Sequence, residues 1–271
     1  MHRVIPQVFL IGETKTNEEG LHQYLEHIGA SNWTTDASSD VEEIIEVGAR
    51  GCYMAFEADT GGIVNRNLVM LRLGNQKYLE NIINVGHGSV LEHGFVNFMF
   101  VDVSRVFTHE LIRHRAGVAI SQESLRFVKL GDMGMWIPSC FEDNPEAIEV
   151  FKKVWQTSEI AYTKLLLIAA LDIEKKADYN DLSFKQKRRY TSAARRIVPI
   201  GMATNIAWSC NIRTLRHVIE MRTAPESEEE IRFIFAKVGW LAKKEWPNLF
   251  RDYTIERVDG IHWFHTEHAK V

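Results

Sequence analysis

No strand–crossover–strand rhythm runs through this chain, and that absence narrows its possible folds more than any other feature. A parallel sheet needs a crossover of a dozen or more residues between successive strands, usually a helix. Strand-like segments here are few and early. Val8 to Gly12 reads as a short strand, Phe95 to Val103 has strand-forming composition, and Leu125 to Leu130 partly alternates. Helical spacing takes most of the rest. Leu21–Ile28 and Val41–Ala49 read as short helices, and Ile63 to Val85 as mostly helical, with Gly86 just past its end. Ser104 is a candidate N-cap for a helix running through Arg115. Ala147, Val150, Phe151, Val154, Ala161, Tyr162 and Leu165 outline one face of a long helix. Another helix is expected from Phe184 to Val198, stopping near Pro199, and the apolar stretch Met202–Met221 is read as a further one. Pro225 and the acids Glu226, Glu228, Glu229 and Glu230 mark a last helix start, with negative charge at the positive end of the helix dipole. The expected class is α+β, an antiparallel sheet packed with long helices.

A chain of 271 residues, 45% of them hydrophobic, can bury a sizeable core as one domain or two. The average charged fraction excludes a disordered protein. No apolar run is long enough for a membrane span or a signal peptide, so a cytoplasmic protein is expected. Cys52, Cys140 and Cys210 are too few and too scattered for a disulfide framework or a zinc site, and are expected to be buried thiols.

Charge is unevenly spread. Nine Lys or Arg and one acid, Glu220, fall between Ser183 and Arg222, leaving 23 bases against 35 acids elsewhere. A cationic island in an acidic protein points to a local anionic ligand such as phosphate, or else to a solvated helix face. A nucleic-acid reading, with Trp208 and Trp240 as stacking platforms, is a remote alternative.

Three clusters could carry chemistry. Arg113-His114-Arg115 is followed by Ser121-Gln122-Glu123-Ser124-Leu125-Arg126-Phe127. Guanidinium groups make forked bonds to phosphate, and a serine hydroxyl can add another. Arg113 and Arg115 can share a site only if the helix ends there, which Gly117 allows. Asn211, Leu215, Val218 and Arg222 lie on one helical face. Gly86-His87-Gly88-Ser89 precedes Glu92-His93, but the spacing of the two histidines is poor for a metal, and none is expected. No nucleophile elbow and no phosphate-cradling glycine loop of the Walker type occurs.

In this order the segments resemble the flavin-dependent thymidylate synthases. Arg113-His114-Arg115 … Ser124-Leu125-Arg126-Phe127 is similar to the family's R-H-R … S-x-R-Y signature, and Gly86 to His93 to its G-H-x-S-x-x-E-H. Val103-Ser104-Arg105 through Leu111 resembles V-S-R-x-x-x-H-Q-L, and Arg195 to Pro199 the A-R-x-x-L-P region. Asn211-Ile212-Arg213-Thr214-Leu215 … Met221-Arg222 resembles N-x-R-x-L … L-R, and Glu230-Ile231-Arg232 the E-I-R. The match is strongest over residues 50–240 of a single domain spanning 1–271.

The resemblance implies that family's fold, a homotetramer whose sites draw on several subunits, FAD as cofactor, and methylenetetrahydrofolate and NADPH as co-substrates for methylating dUMP. It implies flavin contacts at His87, Ser89, Glu92, Arg113, His114, Arg115, Asn211, Arg213 and His217. Nucleotide contacts are implied at Glu110, Gln122, Ser124, Arg126, Arg195 and Arg222, with Arg222 nearest the base and Ser124 a positioning hydroxyl. Three departures stand out: the eight-residue spacer between Arg115 and Ser124 where seven is commonest, His217 where Asn is frequent, and Glu110 where Gln is usual. A carboxylate at Glu110 is either an ion-pair partner of Arg113 or Arg126, or a device that retunes the enzyme toward UMP or dCMP.

Overall fold

The structure is a computed structural model that describes residues 2–125 and 134–268. Its main sheet has four strands in the order β2 (Gln7–Glu13), β3 (Phe95–Ser104), β6 (Ala203–Asn211) and β4 (Val118–Gln122). The pairing is antiparallel. Glu123 N–H donates to the Asn205 carbonyl at one end of the β4–β6 pair, and Asn211 N–H to the Gly117 carbonyl at the other. Beside it, Ile212 N–H reaches the Gly94 carbonyl, and Ser209 Oγ donates to Asn97 Oδ1 at 2.5 Å. β1 (His2–Arg3) pairs in parallel with β5 (Gly134–Met135), and β7 (Thr254–Val258) forms an antiparallel hairpin with β8 (Ile261–His265). The expected α+β class with an antiparallel sheet is the one observed.

Side chains alternate as the pleat requires. Val96, Phe98 and Phe100 of β3 are fully buried, as are Ile206, Trp208 and Cys210 of β6. That period of two corrects the helical reading of Met202–Met221: its first half is strand, and only from Ile212 does the period become helical. The helix α8 (Ile212–Thr223) is capped by Asn211, whose side chain accepts from Thr214 N–H at 2.8 Å.

The chain divides into two compact units. One comprises residues 1–7, 99–113 and 120–207. It holds α4 (Arg105–Leu111), α5 (Ser139–Glu142), the long α6 (Pro145–Ile168) and α7 (Phe184–Ala194). Its apolar clusters gather Leu125, Met135, Ile137, Trp155 and Met202, and separately Tyr162, Leu166 and Ala194. Asn144 caps α6 ahead of Pro145, and Ser183 with Gln186 forms a capping box on α7. The anticipated helix ends near Pro199 are met by a short 3-10 turn over Arg195–Ile197.

The other unit comprises residues 8–98, 114–119 and 208–271. It holds α1 (Glu18–His27), α2 (Asp40–Tyr53), α3 (Asn75–Asn84), α8 and α9 (Glu229–Glu245). Trp208 anchors its core, stacked on Phe98 with centroids 6.1 Å apart and edge-on to Phe235 at 5.8 Å. A wholly buried Trp208 cannot serve as a platform for nucleic-acid bases.

Two helical readings are shortened. α3 starts only at Asn75, not at Ile63. Upstream, Asn65 bonds backbone instead of allowing a helix: its side-chain oxygen accepts from Asn67 N–H and its amide donates to the Tyr53 carbonyl. Gly74, at φ +83°, then turns the chain into α3. The second shortened helix is α4. Ser104 caps it as expected, accepting from Phe107 N–H, but it ends at Leu111 rather than Arg115. The strand expected over 125–130 lies, beyond Leu125, outside the described residues. Among the described residues, no helix is long and apolar enough to cross a membrane.

Candidate active site

The early end of α4 matters for chemistry. It places Arg113-His114-Arg115 in an irregular turn, where alternate side chains are freed from helical divergence. Gly117, at φ +66°, closes that turn, and a Cβ there would lie 2.5 Å from Asn211 Nδ2 and 2.6 Å from Thr214 Oγ1. Thr214 Oγ1 also donates to the Ala116 carbonyl at 2.9 Å. The turn is thus pinned to the start of α8, the segment carrying the Asn211-Ile212-Arg213 motif. Gly117→Ala should cost about 1–3 kcal/mol through strain and close contact. Thermal melts together with flavin content of the purified variant check this, and an unchanged melting temperature would contradict it.

Several implied flavin residues share one place in the second unit. His87, Ser89 and Arg213 line a cavity of about 360 Å³ together with Cys52, Tyr53 and the backbone of Gly86 and Gly88. Arg213 Nη1 pairs with Glu92 Oε1 at 2.6 Å. Tyr53 stacks on the His87 ring with centroids 5.8 Å apart and planes 16° from parallel. A cavity with a guanidinium, a hydroxyl, an aromatic pair and close-set glycines fits a flavin nucleotide, which needs cationic, hydrogen-bonding and stacking partners. Sequence reasoning missed Tyr53 and Cys52. Their signal was position alone, in the last turn of α2, more than thirty residues before His87. Cys52 and Cys140 are exposed, against the expectation of three buried thiols; only Cys210 is buried, and burial pushes its thiol well up.

In the same unit Arg222 is buried on α8, and its Nε donates to His114 Nε2 at 2.7 Å. The His217 ring meets His114 edge-on, with centroids 6.3 Å apart. Arg115 also falls in this unit. Asn211, assigned to the flavin by resemblance, spends its carboxamide oxygen on capping α8.

The first unit holds Arg113 and most of the implied nucleotide residues. Arg113 Nη1 lies 3.4 Å from Glu110 Oε2, an i,i+3 ion pair. Gln122 Nε2 donates to Thr108 Oγ1 at 3.1 Å. Ser124 follows β4, and Arg195 sits at the C-cap of α7. Arg126 lies outside the described residues, as does Phe127. Arg105, which the motif reading left without a role, joins this group. Its Nη2 donates to the Glu123 carbonyl at 3.3 Å, and its buried Nε has no hydrogen-bond partner among the described residues. Burial pushes its guanidinium below the ordinary value, and the neighbouring charge of Arg195 adds to this, against an opposing pull from Glu123. Two mutually repelling guanidiniums, one with an unmet donor, suit a bound anion that would offset the repulsion. The cationic island of 183–222 is therefore not one surface: Arg216 and Arg222 are buried, whereas Arg188, Arg189, Arg195 and Arg196 are exposed. Among the described residues no His, Cys, Asp and Glu side chains cluster so as to hold a metal ion.

The cationic, hydroxyl and aromatic lining of the cavity in one unit, and the arginines suited to an anion in the other, are compatible with a cofactor-binding enzyme that handles an anionic ligand. Comparison with known proteins makes this specific. The model of the thymidylate synthase complementing protein family matches residues 35–248, wider at both ends than the motifs alone suggested. A flavin-dependent thymidylate synthase of Mycobacterium marinum is 35% identical over 223 residues, 82% of this chain and 83% of that protein. One from Corynebacterium glutamicum is 31% identical over 229 residues, covering 84% and 86%. Among solved structures, a UMP/dUMP methylase, PolB, from Streptomyces cacaoi bound with 5-Br UMP superposes with a TM-score of 0.59 at 15% identity, over 92% of this chain and 94% of that one. The chain belongs to the family of flavin-dependent thymidylate synthases, which are methyltransferases.

Proposed function

We propose that this protein methylates C5 of the uracil ring of dUMP to give dTMP, with methylenetetrahydrofolate as one-carbon donor, FAD as bound cofactor and NADPH as reductant. It acts as a cytoplasmic homotetramer of single-domain subunits. The observation that carries the reading is the convergence, on one cavity, of His87 and Ser89 from one motif with Arg213 from another more than a hundred residues away.

Uracil C5 is a poor nucleophile, and FAD when bound supplies the hydride chemistry that the protein cannot. The chain's own task is to hold three ligands in register and to stabilise charge on the pyrimidine. His87, Ser89, Glu92, Arg113, His114, Arg115, Asn211, Arg213 and His217 hold the flavin. Gln122, Ser124, Arg126 and Arg195 take the nucleotide, chiefly its phosphate. Arginine suits both tasks because it stays protonated and binds in a forked geometry. Arg222 faces the base and draws electron density toward the ring carbonyls. Ser124 has no histidine or lysine three or four residues away to activate it, and it orients rather than attacks.

Glu110 bears on substrate choice. A free carboxylate could accept from a ribose 2′-hydroxyl or a cytosine amino group, favouring UMP or dCMP. The ion pair with Arg113 engages it instead, which favours dUMP. Release of tritium from C5-labelled dUMP, UMP and dCMP, assayed side by side with the FAD-loaded protein, tests this. dUMP should be turned over at least about 10-fold faster than the others, and Glu110→Gln should leave that order intact. Faster turnover of UMP or dCMP would reassign the substrate, and no release from any of the three would overturn the reading.

A further inference from the structure

Arg222 and His114 constrain each other's chemistry. A guanidinium keeps all its protons at any working pH and can only donate. At 2.7 Å from Arg222 Nε, His114 Nε2 must therefore be the acceptor. An acceptor nitrogen carries no proton, so His114 is neutral with its proton on Nδ1, and Nδ1 is the only ring nitrogen it can turn toward any other group. The contact also fixes Arg222. Nε lies in the guanidinium plane, so anchoring it sets both the tilt of that plane and the directions of the two Nη groups. Arg222 is buried near the end of α8, while His114 is held by a turn that Gly117 and Thr214 pin to the start of the same helix. The edge-on ring of His217, one α8 turn from Arg213, limits rotation of His114.

We infer that His114, in the Nδ1–H tautomer, is the positioning residue for Arg222, aiming its guanidinium at the pyrimidine. This rests on the proposed role of Arg222 and adds to it: the R-H-R histidine serves the arginine on α8 through its Nε2. A side chain that accepts a bond at the same reach should then substitute for histidine, and an apolar one of similar size should not.

The test compares His114→Gln, whose amide oxygen can accept from Arg222, with His114→Leu, which cannot, in the FAD-loaded protein. Tritium release from C5-labelled dUMP should fall about 100-fold in His114→Leu, chiefly in kcat, and by no more than about 5-fold in His114→Gln. Reduction of the bound flavin by NADPH should change to the same extent in both variants, because both lack the imidazole that contacts the flavin, so that only the methylation step separates them. Equal impairment of the two variants, near-parental turnover by His114→Leu, or loss of FAD from both would overturn the inference and leave His114 a flavin contact only. The tautomer is checked without any substrate. In ¹⁵N-histidine spectra, the signal absent from His114→Gln should have its proton on Nδ1; a proton on Nε2 or an imidazolium would sink the idea even if the parent protein proved inactive on dUMP. Inactivity of the parent with the Nδ1–H tautomer in place would instead count against the proposed reaction.

Discussion

Arg222→Lys protein should bind FAD and dUMP yet methylate the nucleotide about 10²–10³-fold more slowly than the parent. The charge survives the substitution, so the loss comes from geometry. Lysine ends in a point-like ammonium without the Nε that bonds His114 at 2.7 Å, and without the planar fork that Nε orients. A donor aimed at charge that develops only in the transition state affects kcat more than KM. Steady-state kinetics on C5-labelled dUMP separate the two. A variant with parental kcat would show that Arg222 contributes charge alone, and one with only a raised KM would move it to ground-state binding.

The second large effect concerns stability. Arg216 on α8 is 1% exposed and forms two bonds to Asp252, Nη1 to Oδ1 at 2.9 Å and Nη2 to Oδ2 at 2.7 Å. The guanidinium also lies 4.9 Å from the Tyr253 ring centroid, and the Tyr253 hydroxyl donates to the Arg216 carbonyl at 2.7 Å. Removing one partner leaves a buried charge uncompensated, so Asp252→Ala should destabilise the fold by about 3–5 kcal/mol. That corresponds to a melting temperature lower by about 10 °C for a chain of this size. Arg216→Met with Asp252→Leu, which removes both charges, should recover much of the loss. The pair also predicts a pH dependence. Burial pushes the Asp252 carboxyl up, but the bonds and charge of Arg216, with help from Thr266, outweigh it and hold the carboxyl below its ordinary value. Its stabilisation is therefore full above the unfolded pKa of about 3.9 and fades as pH falls below that toward the folded pKa. Denaturant melts between neutral pH and pH 3 should show the parent losing more stability across this window than Asp252→Ala. Parallel curves would remove Asp252 from the account.

Much of this architecture could be read before any coordinates. Ser104 and the alternating run after Phe95 announced their elements because local chemistry and burial agree there. The stripe read on α6 located the helix but not its buried face: Val150, Val154 and Leu165 are exposed, and Trp155, Tyr162 and Leu166 are the buried residues. The errors fall where they diverge. Between Thr204 and Cys210 the apolar residues sit two apart, but Ala207 and the helical pattern beginning at Ile212 blur the change of period. At Asn65 a side chain outcompetes the helix through bonds to Asn67 and Tyr53 that no periodicity encodes. The site was legible as motifs and not as geometry. Nothing in the sequence says that Tyr53 stacks on His87, or that Arg222 meets His114 across 108 residues. The Arg216–Asp252 pair was equally invisible, since a basic residue within a cationic island reads as part of a surface until its burial is known.

The most direct test of the whole account is a single turnover in the absence of oxygen. The protein is loaded with FAD, reduced, and freed of excess reductant; dUMP and methylenetetrahydrofolate are then added while the flavin spectrum and the nucleotide are followed together. The oxidised flavin bands should return only when both compounds are present, with one dTMP formed for each flavin reoxidised. Flavin that stays reduced, or that reoxidises while the nucleotide remains unmethylated, would contradict the central claim.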